Sequence, residues 1–244
     1  MLPKIDVPIF STTLISSGKK VKFRPFTVKE EKIFLMANES DDVENVVDSI
    51  KQVLNNCIID EIDVESLPLF DIENLFLQLR ARSVGEIANL RYKCNNIIPA
   101  TDEKEEHACN HVVEYDLKLL DIKPSFDEQH NKKIELTDSL GVVMKYPTFD
   151  LLKEFDASNE IDSIINMTVQ CIDYIYSKEE LFYAKDSTKQ ELVDFIEGMQ
   201  SGDIEKIKLF FDTMPKIKTV IDFKCGKCNY EEKIDVEGIQ NFFG

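Results

Sequence analysis

The sequence predicts an α+β protein built as a tandem duplicated module. Each copy is a β-hairpin followed by helices and a zinc-ribbon-like half. Three observations predict this. Three pairs of similar segments occur in the same order in the two halves. Each half opens with two alternating runs around a turn. Each half also ends in strands that carry a pair of cysteines.

The matched segments are GKKVKFRPFT (18–27) with GVVMKYPTFD (141–150), DSIKQVLNNCI (48–58) with DSIINMTVQCI (162–172), and DIENLFLQLRARSVGEIANLRYKC (71–94) with DIEKIKLFFDTMPKIKTVIDFKC (203–225). The offsets differ, so the copies carry loops of different length. The polar stretch DIKPSFDEQHNK (121–132) contains Pro124 and reads as the connection between the copies. This divides the chain into 1–124 and 125–244, joined at one shared zinc-ribbon-like site.

Each element follows from local pattern. TTLISSGKKVKFRPF alternates around Ser16-Ser17-Gly18, and KKIELTDSLGVVMKYP alternates around a turn at Asp138 to Gly141. Pro25 and Pro147 end the second strands, and Thr27 and Thr148 stand as N-caps of the helices that follow. A longer helix comes next. Val46, Val47, Ile50, Val53, Leu54, Cys57 and Ile58 recur at three and four residues, as do Ile161, Ile164, Ile165, Val169 and Ile172. Cys57 and Cys171 sit on these apolar stripes and read as small core residues. A third helix starts near Asp71 in one copy and Asp203 in the other, each expected as an N-cap. Its inner face is Ile72, Leu75, Phe76 and Leu79, or Ile204, Ile207, Phe210 and Phe211. Strands at NLRYKC, VVEYDLKLL, TVIDFKC and YEEKIDV close the copies, and the second carries an extra acidic amphipathic segment at 178–199.

Composition narrows the function. The chain has 244 residues, 43% hydrophobic and 31% charged, which is a globular balance. Asp and Glu number 46 against 29 Lys and Arg, a formal charge of −17. Such a charge repels phosphate backbones and anionic membranes, so neither nucleic acid nor membrane is expected as a partner. There is no apolar run long enough to span a bilayer and no basic head before an apolar stretch, so a reducing cytoplasm is expected. Six cysteines there read as thiols or metal ligands.

The strongest chemical signal is FKCGKCNYEEKI, where Cys225 and Cys228 sit at a hairpin tip with a glycine between them. Two thiolates at this spacing can face one ion, and a structural zinc takes four ligands. The duplication supplies the other two. Cys94 matches Cys225, each after an aromatic-Lys pair, and Cys109 matches Cys228 with a longer acidic loop between the first pair. The expected site is a zinc ion held by Cys94, Cys109, Cys225 and Cys228. His107 and His111 flank Cys109 and offer a replacement ligand. A redox pair and metal-free thiols are the alternatives. A helix usually follows a redox CxxC, whereas NYEEKIDV reads as strand.

No catalytic residue stands out. The three histidines lie in no catalytic motif, and there is no nucleophile elbow, P-loop or dinucleotide fingerprint. The acidic surface points to basic or polar protein partners. Arg24, Arg80 and Arg82 read either as interface residues or as partners of the surrounding acids. Phe242 and Phe243 read either as a plug for a partner or as closure of the chain's own ribbon.

GKKVKFRPFTVKEEKIFLMANES (18–40), LPLFDIENLFLQLRARSVGE (67–86), RYKC and FKCGKCNYEEKIDVEGIQNFF resemble the baseplate hub protein family of T-even-like bacteriophages over nearly the whole chain. Relatives often carry a shorter turn between the first cysteine pair, so the long insert after Cys94 departs from the pattern. The resemblance implies a non-enzymatic hub component or hub assembly factor. Its partners would be other baseplate hub or tape-measure proteins. It would act in the host cytoplasm during assembly or in the virion tail, and its oligomeric state is left open. An acidic zinc-ribbon adaptor for transcription machinery is the alternative.

Overall fold

Alternation in the first hairpin pairs β1 (Phe10–Thr13) with β2 (Lys20–Phe23), Phe10 opposite Phe23 and Thr13 opposite Lys20. Val21 and Phe23 point inward, and Lys20 and Lys22 outward. Gly18 takes φ +69° in the turn, where a side chain would be strained. A computed structural model describes residues 6–38, 43–100, 105–148, 151 and 160–238 of the chain.

Helix α1 (Val28–Asn38) begins after Thr27, whose carbonyl accepts from the Glu31 N–H. Helix α2 (Val43–Cys57) buries Val47, Ile50, Val53, Leu54 and Cys57, the apolar stripe read from the sequence. The chain then returns along β2. The Cys57 carbonyl accepts from Arg24 N–H at 2.9 Å, and Ile58 bridges to Phe23. Helix α3 (Leu69–Ser83) adds Ile72, Leu75, Phe76 and Leu79 to this first core. Its N-cap is Pro68, not Asp71. Asp71 lies inside the first turn and is fully buried, and its carboxylate accepts from the Ile15 and Ser16 N–H groups and the Ser16 hydroxyl. The residue type is the same; its donors come from the hairpin loop instead of the helix.

Four short strands follow: β3 (Ile87–Lys93), β4 (Ile97–Ile98), β5 (His107–Ala108) and β6 (Val112–Lys118). β3 pairs antiparallel with β6 and β4 with β5, so β4 and β5 form a small hairpin inside the first cysteine loop. The segment expected as a polar connection is instead docked. Ile122 is buried, and β7 (Pro124–Ser125) pairs with a later strand.

In the second half β8 (Lys133–Thr137) meets β9 (Leu140–Met144) with Thr137 opposite Leu140. The turn is tighter than expected, and Gly141 belongs to the strand. A Cβ there would strike the Tyr176 ring and the Ile134 carbonyl. The helix expected after Thr148 lies outside the described residues. Next come α4 (Glu160–Cys171), β10 (Ile172–Tyr176), β11 (Leu181–Tyr183), α5 (Lys189–Glu197) and α6 (Ser201–Thr213). The four strands form one sheet in the order β11-β10-β9-β8. The Cys171 carbonyl accepts from Lys145 N–H at 2.7 Å, in the manner of Cys57 and Arg24. Thr188 and Glu191 form a capping box on α5. Gln200, not Asp203, caps α6; Asp203 instead pairs with Lys206 at 2.9 Å.

The chain ends its described course with β12 (Lys216–Lys224) and β13 (Glu231–Glu237), in a sheet ordered β13-β12-β7. A first core lies around α2 and α3, and a second around α4, α5 and α6. A third contains Leu77 and Ala81 of α3, Ala88 and Leu90 of β3, Ile217 and Ile221 of β12, and Val236 of β13. It draws on both halves of the chain. The halves also meet at an aromatic joint. Phe70 stands edge-on to Tyr146 at 4.8 Å, and Tyr146 stacks on His130 at 5.5 Å and on Phe210 at 5.8 Å. Thr213 Oγ1 donates to the Leu209 carbonyl, so it accepts from His130 Nδ1 at 3.0 Å; His130 Nε2 then accepts from the Tyr146 hydroxyl at 3.0 Å. Among the described residues no helix is long and apolar enough to cross a membrane.

Candidate metal centre

Two strand pairs deliver the four cysteines to one place. β12 and β13 pair to Lys224 opposite Glu231, and the six residues between them make a tight turn. There Cys225 N–H donates to the Tyr230 carbonyl and Asn229 N–H to the Cys225 carbonyl, both at 2.9 Å. Asn229 takes φ +58°, a left-handed position that asparagine tolerates. β3 and β6 end in the same way. Cys94 N–H donates to the His111 carbonyl at 2.8 Å, Asn110 N–H to the Cys94 carbonyl at 3.1 Å, and Asn110 takes φ +52°. The long spacing between Cys94 and Cys109 therefore preserves the closing turn. The β4–β5 hairpin is inserted between two cysteines whose backbone settings match those of Cys225 and Cys228. Residues 101–104 of that insert lie outside the described residues.

The Sγ atoms of Cys94, Cys109, Cys225 and Cys228 all lie within 4.8 Å of one another. Cys94 and Cys228 are 3.7 Å apart, as are Cys109 and Cys225. Four sulfurs at about 2.3 Å from a tetrahedral zinc stand about 3.8 Å from one another. The donor set and its spacing fit that ion. Cys94, Cys109 and Cys225 are buried and Cys228 is half-buried, under a wall of Tyr92, Ile98, Tyr115, Phe223 and Tyr230.

Backbone N–H groups aim at the sulfurs, from Asn96 to Cys94, from His111 to Cys109 and from Tyr230 to Cys228. The Tyr230 N–H holds the Cys228 thiol down to about 6, with help from the Asn96 side chain, whose Nδ2 lies 3.5 Å from the sulfur. Burial pushes the Cys94 thiol up to about 12. The Cys228 thiol ionises more readily than that of Cys94, and metal binding at such a cluster would be coupled to proton release. Four thiolates on one ion would close its coordination shell, with no position left for a substrate or an activated water.

His107 and His111 stand outside the cluster. His107 is exposed and its Nδ1 lies 3.0 Å from the Glu105 carbonyl, and His111 contributes its carbonyl to Cys94. Cys57 and Cys171 are buried in the first and second cores. Arg24 pairs with Glu30 at 3.0 Å and Arg82 with Glu86 at 2.6 Å; Arg80 is buried and donates to the Gly85 carbonyl. Phe242 and Phe243 lie outside the described residues. Sequence reasoning missed Asn96, Asn110 and Asn229. The signal for two of them is the repeated Cys-Asn step, Cys109-Asn110 and Cys228-Asn229. Lys227, whose Nζ donates to the Cys109 carbonyl at 3.3 Å, carries no such mark.

The family described as T4 bacteriophage base plate protein matches the chain over residues 7–244. No curated protein and no solved structure matches it.

Proposed function

The chain belongs to the T4 bacteriophage base plate protein family, and on that premise we propose that this component of the phage tail baseplate works at the hub. It acts through contacts with other hub or tape-measure proteins, assembles in the host cytoplasm, and carries out no chemistry of its own. The observation that carries the reading is the family match across 7–244, which spans both halves of the fold. The formal charge of −17 favours basic or polar partner surfaces and reversible contacts. The test is quantitative mass spectrometry of purified phage particles beside infected-cell lysate. Stoichiometric copies in particles assign a structural hub subunit. Abundance in lysate with absence from particles assigns an assembly factor. Recovery of polymerase subunits and no tail proteins on the tagged chain overturns the reading in favour of a transcription adaptor.

The same proposal covers the metal and the duplication. Zinc sits between Cys94, Cys109, Cys225 and Cys228 and staples a half-ribbon from 1–124 to one from 125–244. The sulfur spacing and the N–H donors support the ion. Three paired features support the duplication: the two hairpins, the carbonyls of Cys57 and Cys171 that accept from Arg24 and Lys145, and the left-handed Asn110 and Asn229.

A further inference from the structure

Strand β11 is the outermost strand of its four-stranded sheet. Its side chains Leu181, Phe182 and Tyr183 are 54%, 46% and 42% exposed. Natural sheets blunt a free edge by keeping it very short or with charges, proline or a bulge; β11 is only three residues long, but all three are large and apolar. Its backbone is set for pairing. Ser177 N–H donates to the Glu180 carbonyl across the β10–β11 turn at 2.9 Å, which makes those two residues a hydrogen-bonded pair. Such pairs alternate along an antiparallel ladder, and Ile175 stands opposite Phe182 with Tyr174 opposite Tyr183. Phe182 therefore directs its backbone groups at Ile175, and Leu181 and Tyr183 direct theirs at the open edge. The Tyr183 carbonyl accepts from the Ser187 hydroxyl at 3.2 Å and keeps a second lone pair.

The charges flanking the edge say what fits it. Lys178 and Glu179 lie in the turn before β11, and Lys185 and Asp186 in the 3-10 turn after it; all four are exposed. Glu179 and Lys185 stand at equal distances along the chain from Phe182, and so do Lys178 and Asp186. A strand laid antiparallel against itself about Phe182 brings each of these residues toward its opposite charge.

We propose that β11 pairs with the β11 of a second copy of this chain, antiparallel about a twofold axis through Phe182. The pairing goes beyond the hub reading and does not depend on it. Leu181 of each copy exchanges hydrogen bonds with Tyr183 of the other. The two Phe182 side chains meet in the close, non-hydrogen-bonded position. The turn of each copy sets Glu179 beside Lys185 of the other. The two sheets become one. The contact is far below the ~1,600 Å² of a standard interface, so the pairing is weak in dilute solution and favoured where copies are held close together.

Sedimentation of the full chain across a range of concentrations tests this. The wild type dimerises as concentration rises. Phe182→Lys sets like charges together on the axis and abolishes the dimer. Glu179→Lys or Lys185→Glu alone weakens it by roughly tenfold, as two symmetry-related surface ion pairs turn repulsive, and the double reversal restores it. At a concentration where the wild type is monomeric, each of them melts as one cooperative transition close to that of the wild type, because Phe182, Glu179 and Lys185 all lie at the surface. A wild type that stays monomeric at every concentration overturns the proposal. So does a dimer indifferent to Phe182→Lys, or a double reversal as weak as the single ones. A monomeric wild type whose Phe182→Lys form fails to enter phage particles assigns the edge to a different baseplate protein.

Discussion

Replacing Cys225 by serine removes one of four sulfurs from a cluster that no single segment of the chain could build. Cys225 is fully buried, with its Sγ 3.7 Å from that of Cys109. The core beneath it, with Ala88, Leu90, Leu119, Ile217, Ile221 and Val236, is apolar and contains none of the four cysteines. The substitution should therefore cost the linkage energy of the ion and leave the strands paired. An ion present at a thousand times its dissociation constant adds about 4.1 kcal/mol. A chain of this length loses about 2–4 °C of melting temperature per kcal/mol, so the midpoint falls by about 8–16 °C. Zinc per chain, read by elemental mass spectrometry, falls from one to none. A chelator lowers the wild-type midpoint by the same amount and leaves Cys225→Ser where it was. Cys57→Ser is the control, since Cys57 is equally buried but sits in the first core away from the cluster, and its metal content stays at the wild-type value. Equal metal content and equal melting in Cys225→Ser and wild type refute the staple.

Three further outcomes follow from the electrostatics. His130→Ala removes two hydrogen bonds and a stacked ring, about 2–3 kcal/mol by denaturant titration, whereas Tyr146→Phe removes one hydrogen bond, about 1 kcal/mol. Burial and nearby Lys132 lower the His130 pKa, so its contribution is full above the ordinary value near 6.5 and declines as pH falls through that value; His130→Ala removes the decline. Burial works against ionisation of Glu30, but the hydrogen bonds from Arg24 and Thr27 outweigh it and hold the carboxyl at about 2. Its stabilisation is present above about 4.5 and lost as pH falls toward 2, and Glu30→Gln costs about 2 kcal/mol at pH 7 with a flatter acid limb in an acid-denaturation series. Glu73 is the opposite case, pushed up to about 7 by burial and then by Glu237. Its cost grows as pH rises from about 4.5 through 7, so Glu73→Gln should raise the melting temperature at pH 8 and leave it unchanged at pH 4.

Where one residue decides an element, the sequence was readable. The stripe from Val47 to Cys57 could serve only as the buried face of a helix, and the alternation from Lys20 to Phe23 only as a half-buried strand. Cys94 and Cys225 are legible as a pair because each follows an aromatic-Lys pair at the end of a strand. What stayed hidden depended on distant partners. Asp71 looks like a helix cap, but its donors are Ile15 and Ser16, more than fifty residues away. The stretch 121–132 is polar enough to read as a connection. Its anchoring rests on β12 accepting Pro124–Ser125 and on Tyr146 and Thr213 receiving His130, and no local pattern encodes these contacts. The alternation reads Gly141 as the end of a turn; the ring of Tyr176, from the next strand, is what requires a glycine there. The insert after Cys94 broke the expected spacing without moving Cys109, because its length is absorbed by the hairpin between them.

The separation between the cysteines also sets an order of events on the ribosome. Cys109 and Cys225 lie 116 residues apart in the chain, and Cys94 and Cys228 lie 134 apart. At about 5–20 residues per second, roughly ten seconds of translation pass between the first pair and the second. For that interval the early thiols exist without their counterparts, and any ion they hold is held by half a shell. If the four sulfurs hold the proposed zinc, full affinity arrives only after codon 228. On the same proposal, a chain whose synthesis stops short would be left with a weak, exchangeable site, and firm metal retention would mark the polypeptides whose two halves have both been made.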